Sequence, residues 1–222
     1  MPRPKGLLLD AAGTLISPSE PAAEVYLRFA GRYGCKLSEA EVLANFRRAF
    51  NKPWTKSLTR YVGDGREFWD FIIAETTGIQ DKQLLEELYA YYKQPGAWHI
   101  TEGAPYALQL IRQSGMKLAV VSNFDTRLRP LLEALELAPL FDTIVVSAEV
   151  CAEKPNPLVF ETACQQLDIE PAEALHVGDD RRNDVSGARD AGCYAWLWGV
   201  DVKSFSELAA KLIVPERTSL YE

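Results

Sequence analysis

The sequence predicts an α/β protein, and three observations carry that expectation. Past residue 97, short apolar runs alternate with segments whose apolar residues recur at helical spacing. That order builds a parallel sheet with helices on both faces. Residues 17–96 show helical patterns and no strand pattern. Ahead of both stands Gly6-Leu7-Leu8-Leu9-Asp10-Ala11-Ala12-Gly13-Thr14-Leu15-Ile16, an apolar run that stops at an aspartate. The expected organisation is a sheet-bearing core of residues 1–16 and 97–222, with residues 17–96 inserted as an all-helical domain.

Taken in order, the first run is short and bounded by turn residues, as a buried parallel strand is. Ser17-Pro18-Ser19-Glu20-Pro21 is a turn with helix-start chemistry. The spacing of Val25, Tyr26, Phe29, Ala30 and Tyr33 predicts a helix from Ala22, ended by Gly34. Ser38 and Glu41 form a capping-box pattern for a second helix running to Phe50. Phe68 to Ile73 reads as a buried helix ending near Gly78, and Asp81 caps another through Tyr92. Gln94-Pro95-Gly96 marks a boundary. Helices then follow at Ala104–Ser114, Leu128–Leu137, Leu158–Leu167, Asp184–Ala191 and Ser204–Ile213. Between them lie strands at Lys117–Asn123, Phe141–Ser147, Ala174–Asp180 and Cys193–Trp198.

Composition narrows the function classes. A net charge of −7 has the wrong sign for nonspecific binding to nucleic acid or to anionic lipid. No apolar stretch approaches membrane-spanning length, and the opening Met1-Pro2-Arg3-Pro4-Lys5 fits no secretory or transit peptide. Cys35, Cys151, Cys164 and Cys193 form no CxxC pair, which leaves a zinc or thioredoxin-like site unsupported. So few cysteines in a chain of this size read as reduced thiols in the cytoplasm. Oligomeric state is not legible.

Carboxyl ends of parallel strands gather at one edge, so their polar residues belong together. The first strand contributes Asp10. The second contributes Ser122 and Asn123, and the loop after the third carries Glu153-Lys154-Pro155. The fourth contributes Asp179, Asp180 and, one turn later, Asp184. Taken alone, Asp10 reads equally as a turn or cap residue. With the others it becomes a nucleophile beside hydroxyl and amide donors, a cation and an acidic cluster. Such a set suits phosphoryl chemistry on Mg²⁺, which prefers one or two carboxylates plus phosphate oxygens. Ser122 and Lys154 are placed to hold phosphate, and Asp10 to form an aspartyl-phosphate.

The order DxxGT, VVSN, EKP and GDDxxxD resembles the haloacid dehalogenase superfamily of hydrolases along the whole chain, with Ser17 to Gly96 matching its helical cap. Lys117–Asp125, Trp54–Trp69 and Gln94–Trp98 look most like the branch called hydrolase domain-containing protein 3. The resemblance implies a Rossmann-like core, a hydrolase of phosphatase type, Mg²⁺ as cofactor and a small phosphorylated metabolite as substrate. It makes Asp10 the nucleophile and a metal ligand, with Lys154 as its catalytic partner. Ala12 would ligate Mg²⁺ through its backbone oxygen. Ser122, Asn123 and Lys154 would bind phosphate. Asp179 would ligate the metal, and Asp184 would support its outer shell.

One position departs from the pattern. Phosphatases of this superfamily carry a second aspartate two residues after the nucleophile as general acid and base; this chain has Ala12. Loss of such a group costs about 10²–10⁴ in rate. Leaving groups such as acyl and aryl phosphates need the acid least, but dephosphorylation still lacks a base. Three alternatives follow. One is a catalytically degenerate binding protein. Another is a phosphonoacetaldehyde hydrolase-like enzyme with Lys52 or Lys56 forming a Schiff base. The third is a 2-haloacid dehalogenase-like enzyme, against which Asp179 argues. His99 and His176 read first as hinge-surface and packing residues, and Trp54, Trp69 and Trp98 as cap and hinge core. Arg127 is a substrate-contact candidate. Arg181 and Arg182 read first as a solvated face, with neutralising the acidic cluster or touching substrate as the alternatives, and Asp125 and Asp180 extend the acidic rim.

Overall fold

The computed structural model describes residues 3–213. Met1-Pro2 and residues 214–222, read above as parts of the core, lie outside it. In chain order the first strand, β1 (Gly6–Leu9), is followed by a tight turn and β2 (Ile16–Pro18). Four helices come next: α1 (Ala22–Ala30), α2 (Glu39–Phe50), α3 (Arg66–Thr77) and α4 (Lys82–Lys93). Then come β3 (Trp98–Ile100), α5 (Ala104–Gln113), β4 (Lys117–Ser122), α6 (Leu128–Ala134) and β5 (Thr143–Val146). The chain continues through α7 (Ser147–Val150), α8 (Leu158–Leu167), β6 (Ala174–Gly178), α9 (Gly187–Asp190), β7 (Tyr194–Leu197) and α10 (Phe205–Ile213).

Five strands form one parallel sheet in the order β5-β4-β1-β6-β7. Strand alternation explains why these runs are apolar throughout. Leu7, Leu9, Leu118 and Val120 pack on one face with Leu108 and Ile111 of α5, Leu131 of α6 and Leu208 of α10. Leu8, Ala119 and Val121 pack on the other with Val159, Phe160 and Ala163 of α8. The predicted α/β class, with helices on both faces, is what the structure contains. β1 lies at the centre, so the residues just past Leu9 enter the crevice between β4 and β6.

The four helices between β2 and β3 build their own apolar clusters, one around Val25, Tyr26, Ile73 and Leu84, another around Tyr61, Phe68 and Ile72. Their ends follow the sequence signals. Ser38 and Glu41 close a reciprocal capping box, and the Asp81 carboxylate accepts from the backbone N–H groups of Gln83 and Leu84. Gly34 and Gly78 stop helical runs at positive φ.

Two local expectations need correction. The insert's two connections are not plain linkers: β2 and β3 pair antiparallel, Ser17 opposite His99. Three-residue strands are too short to show an alternation. The helix expected from Asp184 begins instead as a π-helical turn over Arg181–Ser186 before α9. Asp180 caps it, its carboxylate accepting from the N–H groups of Arg182 and Asn183 at 2.8 and 2.7 Å. Among the described residues no helix is long and apolar enough to cross a membrane.

Candidate active site

The turn after β1 is wound on one carbonyl: Ala11 O accepts from the N–H groups of Leu15 and Ile16, both at 2.9 Å. Gly13 takes φ +96° within it, and a Cβ there would lie 2.5 Å from Asp179 Oδ2. Only glycine lets the turn come so close to the end of β6. Asp10, at the mouth of this turn, is buried. Its Oδ1 accepts from Lys154 Nζ at 2.7 Å and from Ser122 Oγ at 3.1 Å.

Lys154 is equally buried and also donates to Asp184 Oδ1 at 2.6 Å. The position of Lys154 comes from Asn123. Asn123 Nδ2 donates to Lys154 O at 2.9 Å, and Lys154 N donates to Asn123 Oδ1 at 2.7 Å. The Asn123 amide thus braces the loop that presents the cation. Asp184 is held on both oxygens, accepting also from His176 Nε2 at 2.9 Å and, on Oδ2, from Asp180 N at 2.9 Å. Gly178 leaves room for that carboxyl, because a Cβ there would collide with it.

Burial dominates the electrostatics. It lifts the Asp10 carboxyl to about 6, against the pull of Lys154. Burial and the charge of Asp184 also raise Asp179. Burial works to raise Asp184 too, but the Lys154 ammonium and the His176 bond overcome it and hold that carboxyl low. Desolvation keeps His176 neutral-leaning, so its Nε2–H serves as a donor to an ionised Asp184. One oxygen from each of Asp10, Asp179 and Asp184 lies within 4.8 Å of the others. Three carboxylates against one ammonium leave a surplus of negative charge, and the donors are all hard oxygens. The set fits a small divalent cation such as Mg²⁺.

Above the strand ends is a cavity of about 360 Å³, walled on the far side by the insert. Glu153 joins the two sides, accepting from the backbone N–H groups of Arg60 and Tyr61 and from Arg60 Nε. A second junction surrounds Asp125, whose carboxylate accepts from Arg127 Nε (2.8 Å) and Nη2 (2.6 Å) and from Trp69 Nε1 (2.9 Å). The Arg127 guanidinium lies 3.8 Å from the centre of the Tyr89 ring. Thr126 N donates to Gly63 O at 3.0 Å.

A family model described as haloacid dehalogenase-like hydrolase matches residues 4–192. The chain belongs to that family. It is 34% identical over 206 residues to haloacid dehalogenase-like hydrolase domain-containing protein 3 of Mus musculus, covering 86% of this chain and 80% of that protein. It is 30% identical to N-acylneuraminate-9-phosphatase of Rattus norvegicus, covering 88% and 82%. Among solved structures it is similar to the HAD-hydrolase YfnB of Bacillus subtilis bound to magnesium, with a TM-score of 0.73 and 20% identity over 96% and 100% of the two chains.

Within the haloacid dehalogenase-like frame, the strand-end residues Asp10, Ser122, Lys154, Asp179 and Asp184 converge as the sequence suggested. Others sit differently. Asp125 is buried in the Arg127 ion pair, not on an acidic rim. Asp180 does lie on the cavity's acidic side and also caps a helical turn. Lys52 pairs with Glu75, and Lys56 with Glu67. Neither lysine lines the cavity, whereas Trp69, Trp98 and Arg127 do. Two roles went unread. His176 orients Asp184, a role that a lone histidine in an apolar strand hints at. Glu153 grips the insert, and nothing local in the sequence signals that.

Proposed function

We propose that this haloacid dehalogenase-like hydrolase is a Mg²⁺-dependent phosphohydrolase acting on a small phosphorylated molecule through an aspartyl-phosphate on Asp10. The observation that carries the proposal is the Asp10–Lys154–Asp184 chain, with Asp179 beside it and Ser122 on the same Asp10 oxygen. Asp10, Asp179 and the backbone oxygen of Ala12 would hold Mg²⁺, with Asp184 behind them. Bound there, the ion would offset charge on the phosphoryl oxygens. Asp10 attacks phosphorus. Lys154 and Ser122 steady the phosphoryl oxygens and the nucleophile, and electrostatic positioning of this kind supplies most phosphoryl-transfer catalysis. Residues 17–96 act as a cap over a core of residues 1–16 and 97–222, and the β2–β3 ribbon is their hinge. The magnesium-bound relative's reported interdomain movement and the phosphatase among the sequence relatives support this reading. So does the side chain of Asp179, which a metal-free dehalogenase site would not need. The four free cysteines support a cytoplasmic location as part of the same proposal.

The test is hydrolysis of acetyl phosphate and p-nitrophenyl phosphate by wild type and Asp10→Asn, with and without Mg²⁺. Turnover that needs both Asp10 and Mg²⁺ supports the proposal. A folded, metal-binding protein that turns over neither compound supports a binding role instead.

A further inference from the structure

Building on the phosphohydrolase reading, we infer that the substrate class is an aryl phosphomonoester, whose leaving group is a phenol seated against the aromatic wall of the insert. Two independent observations meet here: among the described residues the insert offers no carboxyl or imidazole to a leaving oxygen, and its wall suits a flat apolar group.

The proton inventory comes first. Ala12 lines the cavity where an acid would be needed and offers none. Among the described residues, every carboxyl in the lining comes from the strand-end side: Asp10, Asp179, Asp180 and Asp184. The first is the nucleophile. Asp179 is a metal ligand on the phosphohydrolase reading, Asp180 accepts from the N–H groups of its own helical turn, and Asp184 is engaged by Lys154, His176 and Asp180 N. The Lys154 ammonium is shared between Asp10 and Asp184. His176 lies behind Asp184, fully buried, and His99 is exposed on β3; neither lines the cavity. The insert contributes no carboxyl and no imidazole to the lining. It contributes tyrosine hydroxyls, and burial pushes Tyr26 and Tyr61 above the ordinary phenol range. Both stay protonated near neutral pH and are weaker acids than a free phenol, so they assist a departing alkoxide less than a carboxyl would.

The wall itself comes next. Phe46, Phe50, Tyr61, Trp69 and Tyr92 of the insert face the cavity, with Trp98 of β3 beside them. Their rings are locked by mutual edge and stacked contacts, such as Phe46 on Phe50 at 5.7 Å and Tyr92 on Trp98 at 6.0 Å. The two arginines in the lining are already engaged, Arg60 by Glu153 and Arg127 by Asp125. A polyol or a second anionic group would therefore meet few free polar partners and be desolvated at a cost. A flat ring meets offset or edge-on partners instead. About 360 Å³ is of the size small-ligand sites have.

The chemistry closes without a general acid. An Asp10 oxygen attacks phosphorus, and the bond from phosphorus to the aryl oxygen breaks. Its electron pair leaves on that oxygen as phenolate, which takes a proton from water. A second water then attacks phosphorus, and the bond to Asp10 breaks, restoring the carboxylate. One proton of that water stays on the new phosphate hydroxyl and the other neutralises the hydroxide left when the phenolate was protonated, so ester and water become phenol and hydrogen phosphate. A phenol ionises near pH 10, while water itself has a pKa of about 15.7. Alkoxides lie near water, and only the phenolate leaves readily unprotonated.

The experiment compares kcat/KM, with Mg²⁺, for phenyl and 2-naphthyl phosphates against ethyl phosphate and glycerol 2-phosphate, in wild type and Ala12→Asp. Expected are an aryl preference of at least about 10²-fold in wild type and a gain on Ala12→Asp concentrated in the alkyl esters. Asp10→Asn should bind 2-naphthyl phosphate at least about tenfold more tightly than methyl phosphate by tryptophan fluorescence, since Trp69 and Trp98 line the site. Alkyl esters turned over as well as aryl ones, or equal binding of the two probes, would overturn the inference. If acetyl phosphate is still hydrolysed through Asp10 in that case, the phosphohydrolase reading stands. If acetyl phosphate and every ester are inert, both fall.

Discussion

Lys154 Nζ sits 2.7 Å from Asp10 Oδ1, with both side chains almost wholly out of solvent. The ammonium also reaches Asp184, so one cation holds two carboxylates in place. A buried pair of this kind is weak evidence for stability, but removing one partner strands the other's charge. Lys154→Met should therefore lower stability by about 3–5 kcal/mol and cut turnover of acetyl phosphate by at least about 10²-fold. Denaturant melts and initial rates check the two arms separately.

Asp10 is a carboxyl raised by burial to about 6, above its unfolded value. Between those two values the folded state holds the extra proton. This group's contribution to metal-free stability therefore falls as pH rises through that window. Metal binding runs the other way, because a ligating carboxylate must be ionised. Mg²⁺ affinity, measured by calorimetry, should be level above pH 7 and weaken as pH falls below about 6, with protons released on binding there.

His176 donates to Asp184 from a fully buried position on β6, edge-on to the Phe160 ring. Its removal should loosen Asp184 without taking away a ligand. We expect His176→Leu to weaken Mg²⁺ affinity by about 10–100-fold, as outer-shell losses do. Asp179→Asn should cost more. Equal affinity in His176→Leu and wild type, measured by the same calorimetry, would remove the orienting role.

Glu153 accepts from the backbone N–H groups of Arg60 and Tyr61, tying the insert's loop to the loop that carries Lys154. In Glu153→Ala those amides lose their acceptor. Hydrogen exchange of the stretch around Tyr61 should speed up, while the amides of β1 and β4 keep their protection. The Asp125–Arg127 pair, which bonds Trp69, is a second tie, so the insert should stay docked.

The sheet was legible because its central strands are buried on both faces and so read as short, mostly apolar runs. Asp10, Ser122 and Asp179 were legible for the same reason: each ends such a run or follows it directly. Asn123 was legible as a site residue but not in its part, since the main chain it grips lies 31 residues away. Asp125 and Arg127 looked like rim and substrate contacts. A two-residue spacing cannot announce that Trp69, 56 residues earlier, completes their network. The β2–β3 ribbon escaped because three residues cannot show a period of two. The π turn at Arg181–Ser186 escaped because Asp180 and Asp184 set it by side-chain bonds, not by propensity.

The central claim is that Asp10 attacks phosphorus. With Ala12 offering no base for the second half-reaction, the phosphorylated form should accumulate during turnover. The most direct measurement is to mix the enzyme, acetyl phosphate and Mg²⁺, quench in acid, reduce with borohydride and map the peptides by mass spectrometry. The account predicts homoserine in place of Asp10, the mark of a reduced acyl phosphate. Steady release of phosphate with Asp10 recovered unchanged would contradict it.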